Sequence, residues 1–293
     1  MDRPSENVIS YTDFSHDDYW EAINWLKDQG LNVSSSRYAG IMRDIGDFGE
    51  GEYPKELIWG LSEVDTLYRV YLGVLKRDLV SKDDLKKLLN GAKFLKDEKI
   101  GASDNSRNYI FELQVAGAFV KAGAGVRFDN TKADFKFELQ PGITCFAECK
   151  RVSSEQKLEA NVKEAYKQIQ ERCSEHDVGV IAVDISRLMW QRMNGNLVCS
   201  SFADIKSFLQ KISDDITKSI KAKYVYCNTI MVAGFYCVPF VSVETGGLNY
   251  FRNMSASIKY CEDHLLIPYS LMFMQRARVA LWMKDNLKLS FQV

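Results

Sequence analysis

Between Ser106 and Val120 the chain is apolar almost all the way round a helix, and in that span it carries one acid, Glu112. Ile110, Phe111, Leu113, Val115, Ala116, Ala118, Phe119 and Val120 leave no polar stripe to face water. A helix with that pattern is a buried one. A carboxylate inside it is costly unless it is paired or binds a metal. Gly123 and Gly125 then end the helix, as glycines do at C-termini.

Two strands follow. In 133–139, Phe135, Phe137 and Leu139 alternate with Asp134, Lys136 and Glu138, a period of two. In 144–150, Cys145, Ala147 and Cys149 point one way, and Phe146, Glu148 and Lys150 the other, because residues i and i+2 of a strand share a face. Glu148 and Lys150 therefore project together, with the Cys149 carbonyl between them. Pro141-Gly142 is a turn signal, so the two strands form a hairpin. This is a residue set suited to a hard divalent cation beside a phosphodiester. Mg²⁺ takes oxygen ligands and keeps several waters, so a few carboxylates and a carbonyl suffice. A lysine next to the metal is positioned to orient or deprotonate a water, and the metal polarises the phosphoryl oxygen.

Glu112, Asp134 and Glu148-Cys149-Lys150, in that order and on those elements, resemble the PD-(D/E)xK nuclease superfamily over roughly residues 105–240. The resemblance implies an α/β, restriction-endonuclease-like fold, with a mixed central sheet flanked by helices. It also implies a Mg²⁺-dependent (or Mn²⁺-dependent) endonuclease whose substrate is nucleic acid, DNA first. Asp134, Glu148 and the Cys149 carbonyl would hold the metal, with Glu112 as a further ligand. Lys150 would be the catalytic lysine. Gln168, in Ala165-Tyr166-Lys167-Gln168-Ile169, matches a glutamine often found on the next helix. One departure is that Ala133 stands where the family motif has proline. Enzymes of this kind are commonly dimers, because two sites serve two strands, and stand-alone members often act in bacterial defence against phage or foreign DNA. Both are expectations by analogy alone.

The rest of the chain sets limits. Its 293 residues suffice for one large domain or two ordinary ones. The formal net charge of −1 supplies no global field for nucleic acid, so binding needs a local patch. No apolar run approaches a membrane span, and Met1-Asp2-Arg3-Pro4-Ser5-Glu6 lacks secretory features. The expected location is the cytoplasm. Seven cysteines, all at or after Cys145 and without a Cys-x-x-Cys pair, read as buried free thiols. With His16, His176 and His264 scattered, a zinc site is not expected.

Residues 1–100 read as a helical region for sensing, dimerisation or substrate contact, and 101–293 as the nuclease-like domain, with a polar boundary at 96–107. Ser15 caps a helix to about Gln29. A short one lies near 37–45, a long one runs from Pro54 to about Asp78, and another runs from Ser81 to Gly91. Gly46–Glu52 has glycines but neither a helix start nor a lysine in register, so it is a loop rather than a phosphate cradle. Downstream come a helix over 154–175, a central strand over 178–185 near whose end Asp184 suits a cap or turn better than an outer support of the site, and a helix over 201–221. A strand-like stretch over 229–243 is interrupted by Pro239, and the basic tail over 265–291 suggests a further strand pair or a substrate-facing edge. Trp20, Trp25 and Trp59 suit core packing better than interface anchoring. Against the catalytic reading, Glu112 could be a salt-bridged core acid, Asp134 an edge-strand charge, and Glu148–Lys150 a surface ion pair worth little. The competing function is a nuclease-fold binding or regulatory module without catalysis.

Overall fold

The computed structural model describes residues 9–10, 15–47, 54–94, 97–98, 105–128, 133–138, 144–174, 177–193, 198–199, 202–224, 228–242, 248–258, 278–283 and 286. The fold is α/β. Its sheet has the order β1 (Ile9–Ser10), β8 (Leu248–Ile258), β7 (Thr229–Ser242), β5 (Val178–Asp184), β4 (Thr144–Arg151), β3 (Phe135–Glu138), β2 (Gly125–Arg127), with β6 (Val198–Cys199) pairing β7 off that path. β4, β5 and β7 are mutually parallel, whereas β2–β3, β3–β4 and β7–β8 are antiparallel. Among the described residues no helix is long and apolar enough to cross a membrane.

The expected succession of helix, three strands, helix and strand is present as α5 (Asn105–Lys121), β2, β3, β4, α6 (Glu155–Arg172) and β5. A short helix, α7 (Ser186–Arg192), follows β5, and a further helix, α8 (Phe202–Tyr224), leads into β7. The strand alternation read from sequence is the one observed. Cys145, Ala147 and Cys149 pack with Phe111, Val115 and Phe119 of α5. The opposite face carries Ile181, Val183, Val232 and Val238, covered by Leu158, Val162 and Ile169 of α6 and by Ile212 and Ile216 of α8. Gly234 lets α8 come close, since a Cβ there would lie 2.6 Å from Thr217 Cγ2.

Local signals explain the helix ends. Ser15 and Asp18 form a reciprocal capping box at α1 (His16–Asp28), with Asp18 N–H donating to Ser15 Oγ at 3.2 Å and Ser15 N–H to Asp18 Oδ2 at 2.6 Å. Gly123, at φ +91°, closes α5 while Ala124 N–H reaches back to the Phe119 carbonyl at 2.9 Å.

Several details differ from the sequence reading, the first being β1, a strand that pairs with β8 inside the 1–100 region read as helical. The long helix, α3 (Lys55–Gly73), stops before Asp78 and passes into a 3₁₀ turn over Leu75–Arg77. The 81–91 helix is a short α4 (Lys82–Leu85) followed by a 3₁₀ turn. Pro239 does not interrupt β7, where it pairs with Tyr250. Phe235 O accepts from Ile185 N–H, and Cys237 N–H donates to Ser186 Oγ, so backbone groups of odd-numbered residues here face away from β8. The N–H that proline lacks falls on that side, beyond the end of β5, and no β8 bond is lost. In the tail, 278–283 is helical, with Val279, Ala280 and Met283 buried, Val279 and Met283 against the α5 side of the sheet. The 139–143 turn and most of 46–53 lie outside the described residues.

The N-terminal helices α1, α2 (Arg37–Asp47) and α3 bury Tyr19, Tyr38, Leu57, Leu67 and Tyr71 in a core that also takes in Tyr109, Ile110 and Leu113 of α5. Trp59 is buried, while Trp20 and Trp25 are partly buried against this core. Ion pairs inside the protein tie the helical region to the sheet. Asp65 of α3, 1% exposed, accepts from Tyr19 OH at 3.2 Å and Arg69 Nε at 2.9 Å, and it pairs with Arg252 of β8. Glu98, inside the expected polar boundary, is buried among Arg107, Arg151 and Arg187. Removing one partner of a buried pair leaves an uncompensated charge. Asp65→Ala should therefore lower stability by about 3–5 kcal/mol in urea unfolding. A loss under about 1 kcal/mol would mean that the Arg252 pair does not hold the helices to the sheet.

Candidate active site

β3 is only four residues long, and its ladder with β4 ends at Phe135↔Ala147. Continuing the antiparallel register sets Asp134 opposite Glu148, but the chain has already left the strand at Asp134. Its carboxylate takes over where the ladder stops, and Cys149 N–H donates to Asp134 Oδ2 at 2.6 Å. In an extended strand a residue's N–H and C=O point to the same side. The Cys149 carbonyl therefore also faces the gap beyond β3, beside Asp134.

A cleft of about 380 Å³ opens there, with Glu112, Asp134, Cys149 and Lys150 in its wall. Glu112 arrives from α5 on one face of the sheet and Lys150 from the other. They meet because β3 does not continue between them. Asn108, Asn161, Lys157 and Glu164 extend the lining.

The electrostatics are those of acids short of positive charge. Burial, then repulsion from Asp134, raises the Glu112 carboxyl to about 8, with Lys87 and Lys150 opposing. No described residue hydrogen-bonds or ion-pairs with it. Burial also raises Asp134, opposed first by the Cys149 N–H bond and then by Lys150 and Arg172.

Glu148 is placed differently. It is 1% exposed and does not line the cleft. One oxygen pairs with Arg172, and the other lies 3.6 Å from Lys150 Nζ. Lys150 Nζ donates to Gln168 Oε1 at 2.8 Å and lies 3.9 Å from Glu164 Oε1. Glu164, Gln168 and Arg172 recur every four residues along α6, so one helical face presents all three to the Glu148/Lys150 pair. Gln168 thus meets Lys150 rather than water, though it does not line the cleft. Arg172 was missed, although its i+4 spacing from Gln168 was a usable signal. Asp184 accepts from Arg151 Nε at 3.1 Å and from Ser186 N–H at 2.9 Å. It steadies the residue next to Lys150 without reaching the cleft.

Among the described residues no three His, Cys, Asp or Glu groups gather closely enough to enclose an ion. The donors at the gap are two carboxylates, Glu112 and Asp134, and one carbonyl, with Glu148 held apart by Arg172. That set fits a hard cation that keeps most of its water, as Mg²⁺ does. It does not fit zinc, which needs nitrogen or sulfur ligands closing round it, and the Cys149 thiol is on the core face with its ionisation pushed well up by burial. The described cysteines 145, 149, 173 and 237 are free thiols.

Comparison with protein-family models, curated proteins and solved structures returned no match for this chain.

The raised Glu112 carboxyl makes stability depend on pH. The folded form binds the proton more tightly than the unfolded chain, whose glutamate titrates near 4.5. Stability is therefore lost as pH rises from about 4.5 and the loss levels off above about 8. Glu112→Gln should melt higher than the parent at pH 8–9 and similarly at pH 4.5, worth about 1.4 kcal/mol per pH unit of displacement. Thermal melts across that range check it. Parallel curves for the two proteins would mean that the carboxyl is ionised in the folded state throughout.

Proposed function

We propose that the chain is a metal-dependent endonuclease of the PD-(D/E)xK type, hydrolysing phosphodiester bonds in nucleic acid, with DNA the first substrate to test. The observation that carries this reading is the contrast among the enclosed acids. Asp65, Glu98 and Glu148 each have an arginine. Glu112, beside Asp134 at the open end of β3, has no described partner, and its carboxyl is lifted to about 8. Such a pair of acids is what a divalent cation would neutralise.

In this reading Glu112, Asp134 and the Cys149 carbonyl hold Mg²⁺ or Mn²⁺, which supplies Lewis acidity toward the phosphoryl oxygen when bound. The chain's own groups do the remainder. Asp134 keeps its carboxylate in place through the Cys149 N–H bond. Lys150, oriented by Gln168 and Glu148, presents its ammonium to the cleft, where it can position the attacking water. Glu148 reaches the metal only if Arg172 releases one of its oxygens, and otherwise acts by orienting Lys150. Defence against foreign DNA and a homodimeric assembly belong to this reading as its biological setting.

A second reading is a binding or regulatory module on the same fold, and the Glu148–Arg172 pair favours it, because it occupies an acid that the chemistry would use. Two measurements separate the readings. Titration with Mn²⁺ should show saturable binding that Asp134→Asn abolishes. Incubation with plasmid, linear DNA and RNA in Mg²⁺ or Mn²⁺ should show cleavage, lowered at least about a hundredfold by Lys150→Ala and Glu148→Ala in folded protein. Mutants that cut like the parent would remove both residues from the mechanism. Neither metal uptake nor cutting of any substrate would leave the module.

A further inference from the structure

A second cavity, about 80 Å³, lies between the helical region and the sheet. It is bounded by Trp59, Arg107, Gln114, Arg151, Arg187 and Phe235 among others. It sits past the ends of parallel strands β4 and β5, which finish at Arg151 and Asp184. In open α/β sheets that is the place where ligands bind. Arg151 and Arg187 also line the candidate cleft, so they form a shared wall between the two spaces.

The lining holds three arginines, and its two carboxylates, Glu63 and Asp184, are each already paired with one of them. Arg107, Arg151 and Arg187 all turn to one carboxylate, Glu98. Arg107 also holds Glu63 at 2.8 Å, and Arg151 holds Asp184 at 3.1 Å. Arg187 has Glu98 as its described ion-pair partner, through Nη1 at 2.7 Å, so the rest of its guanidinium is left for something else. Among the described residues, none hydrogen-bonds the side chain of Gln114. The hydroxyls of Ser62 and Thr66, also in the wall, donate to backbone carbonyls of their own helix. Phe111, Phe235 and Trp59 keep the local dielectric low, which strengthens any charge contact made inside.

Size narrows the ligand. At roughly 10–15 Å³ per water on this measure, the space holds a group of a few heavy atoms rather than a nucleoside. We propose that this cavity is a binding site for a small oxyanion, a phosphate or a small carboxylate, held by Arg187 with Gln114 donating. The proposal does not depend on the catalytic reading. An anion drawing Arg187 from Glu98 alters the ion pairs that fix Arg151, the residue after Lys150, so the site has a physical route to the cleft.

The test uses the full chain and inorganic phosphate, acetate and thymidine 5′-monophosphate as probes, by titration calorimetry at constant ionic strength, with tryptophan fluorescence as a second signal from Trp59. Phosphate or acetate should bind saturably at one site. Arg187→Gln and, separately, Gln114→Glu should each weaken that binding at least tenfold, with circular dichroism confirming the fold. Gln114→Glu puts a like charge in the pocket without removing any described bond, so it remains informative if the arginine variant does not fold. Tighter binding of the mononucleotide than of phosphate would identify a nucleotide's terminal phosphate as the source of the anion, and equal binding a free one. Absence of saturable binding by all three probes at tens of millimolar, or affinity untouched by Gln114→Glu, would overturn the assignment.

Discussion

A carboxylate taken out of water needs a cation, and this molecule is arranged around that requirement. Asp65 joins α3 to β8 through Arg252, Glu63 joins α2, α3 and α5 through Arg37 and Arg107, and Glu98 collects Arg107, Arg151 and Arg187 behind β4. These pairs do not make the fold stable by themselves, since well-packed apolar groups would serve as well. They fix one arrangement of helices against sheet, because any other arrangement would strand a charge. Glu112 and Asp134 are the exception at the cleft, and the exception is informative because the other buried acids described here are so consistently paired.

The strand pattern was legible in the sequence because a period of two has one geometric meaning. Cys145, Ala147 and Cys149 face α5, and Glu148 and Lys150 face α6, as the alternation required. Glu112 was legible for the opposite reason, as the one acid in an otherwise apolar helix. Gln168 could be placed because it sits next to the buried stripe of α6. The partners from distant segments could not be read this way. The i+4 spacing of Arg172 from Gln168 put both on one helical face, but nothing local shows that this face will meet Glu148. Nothing in the polar stretch Lys96-Asp97-Glu98-Lys99 shows that its glutamate will be buried. Such contacts are decided by how the elements pack, after each has formed.

Where the reading slipped, backbone parity or helix length was the cause. Pro239 looked like a break, yet it stands where the side of β7 carrying its missing N–H is past the end of β5. β8 was not anticipated, although Tyr250, Phe251 and Met254 are buried along it, because Arg252 and Asn253 blur its alternation. The helix after Ser81 is a short α-turn and a 3₁₀ turn, which a capping residue and a run of lysines cannot distinguish from a longer helix.

The brevity of β3 has its own consequence. Were the ladder to run on past Ala147, Cys149 would spend its N–H and carbonyl on a neighbouring backbone, and the residue at 134 would be one more rung. A related chain could then keep every acid and the lysine and still have no notch in which they meet. The signature to seek in other sequences is therefore positional: an early strand exit beside an intact one, with the acid at the point of departure.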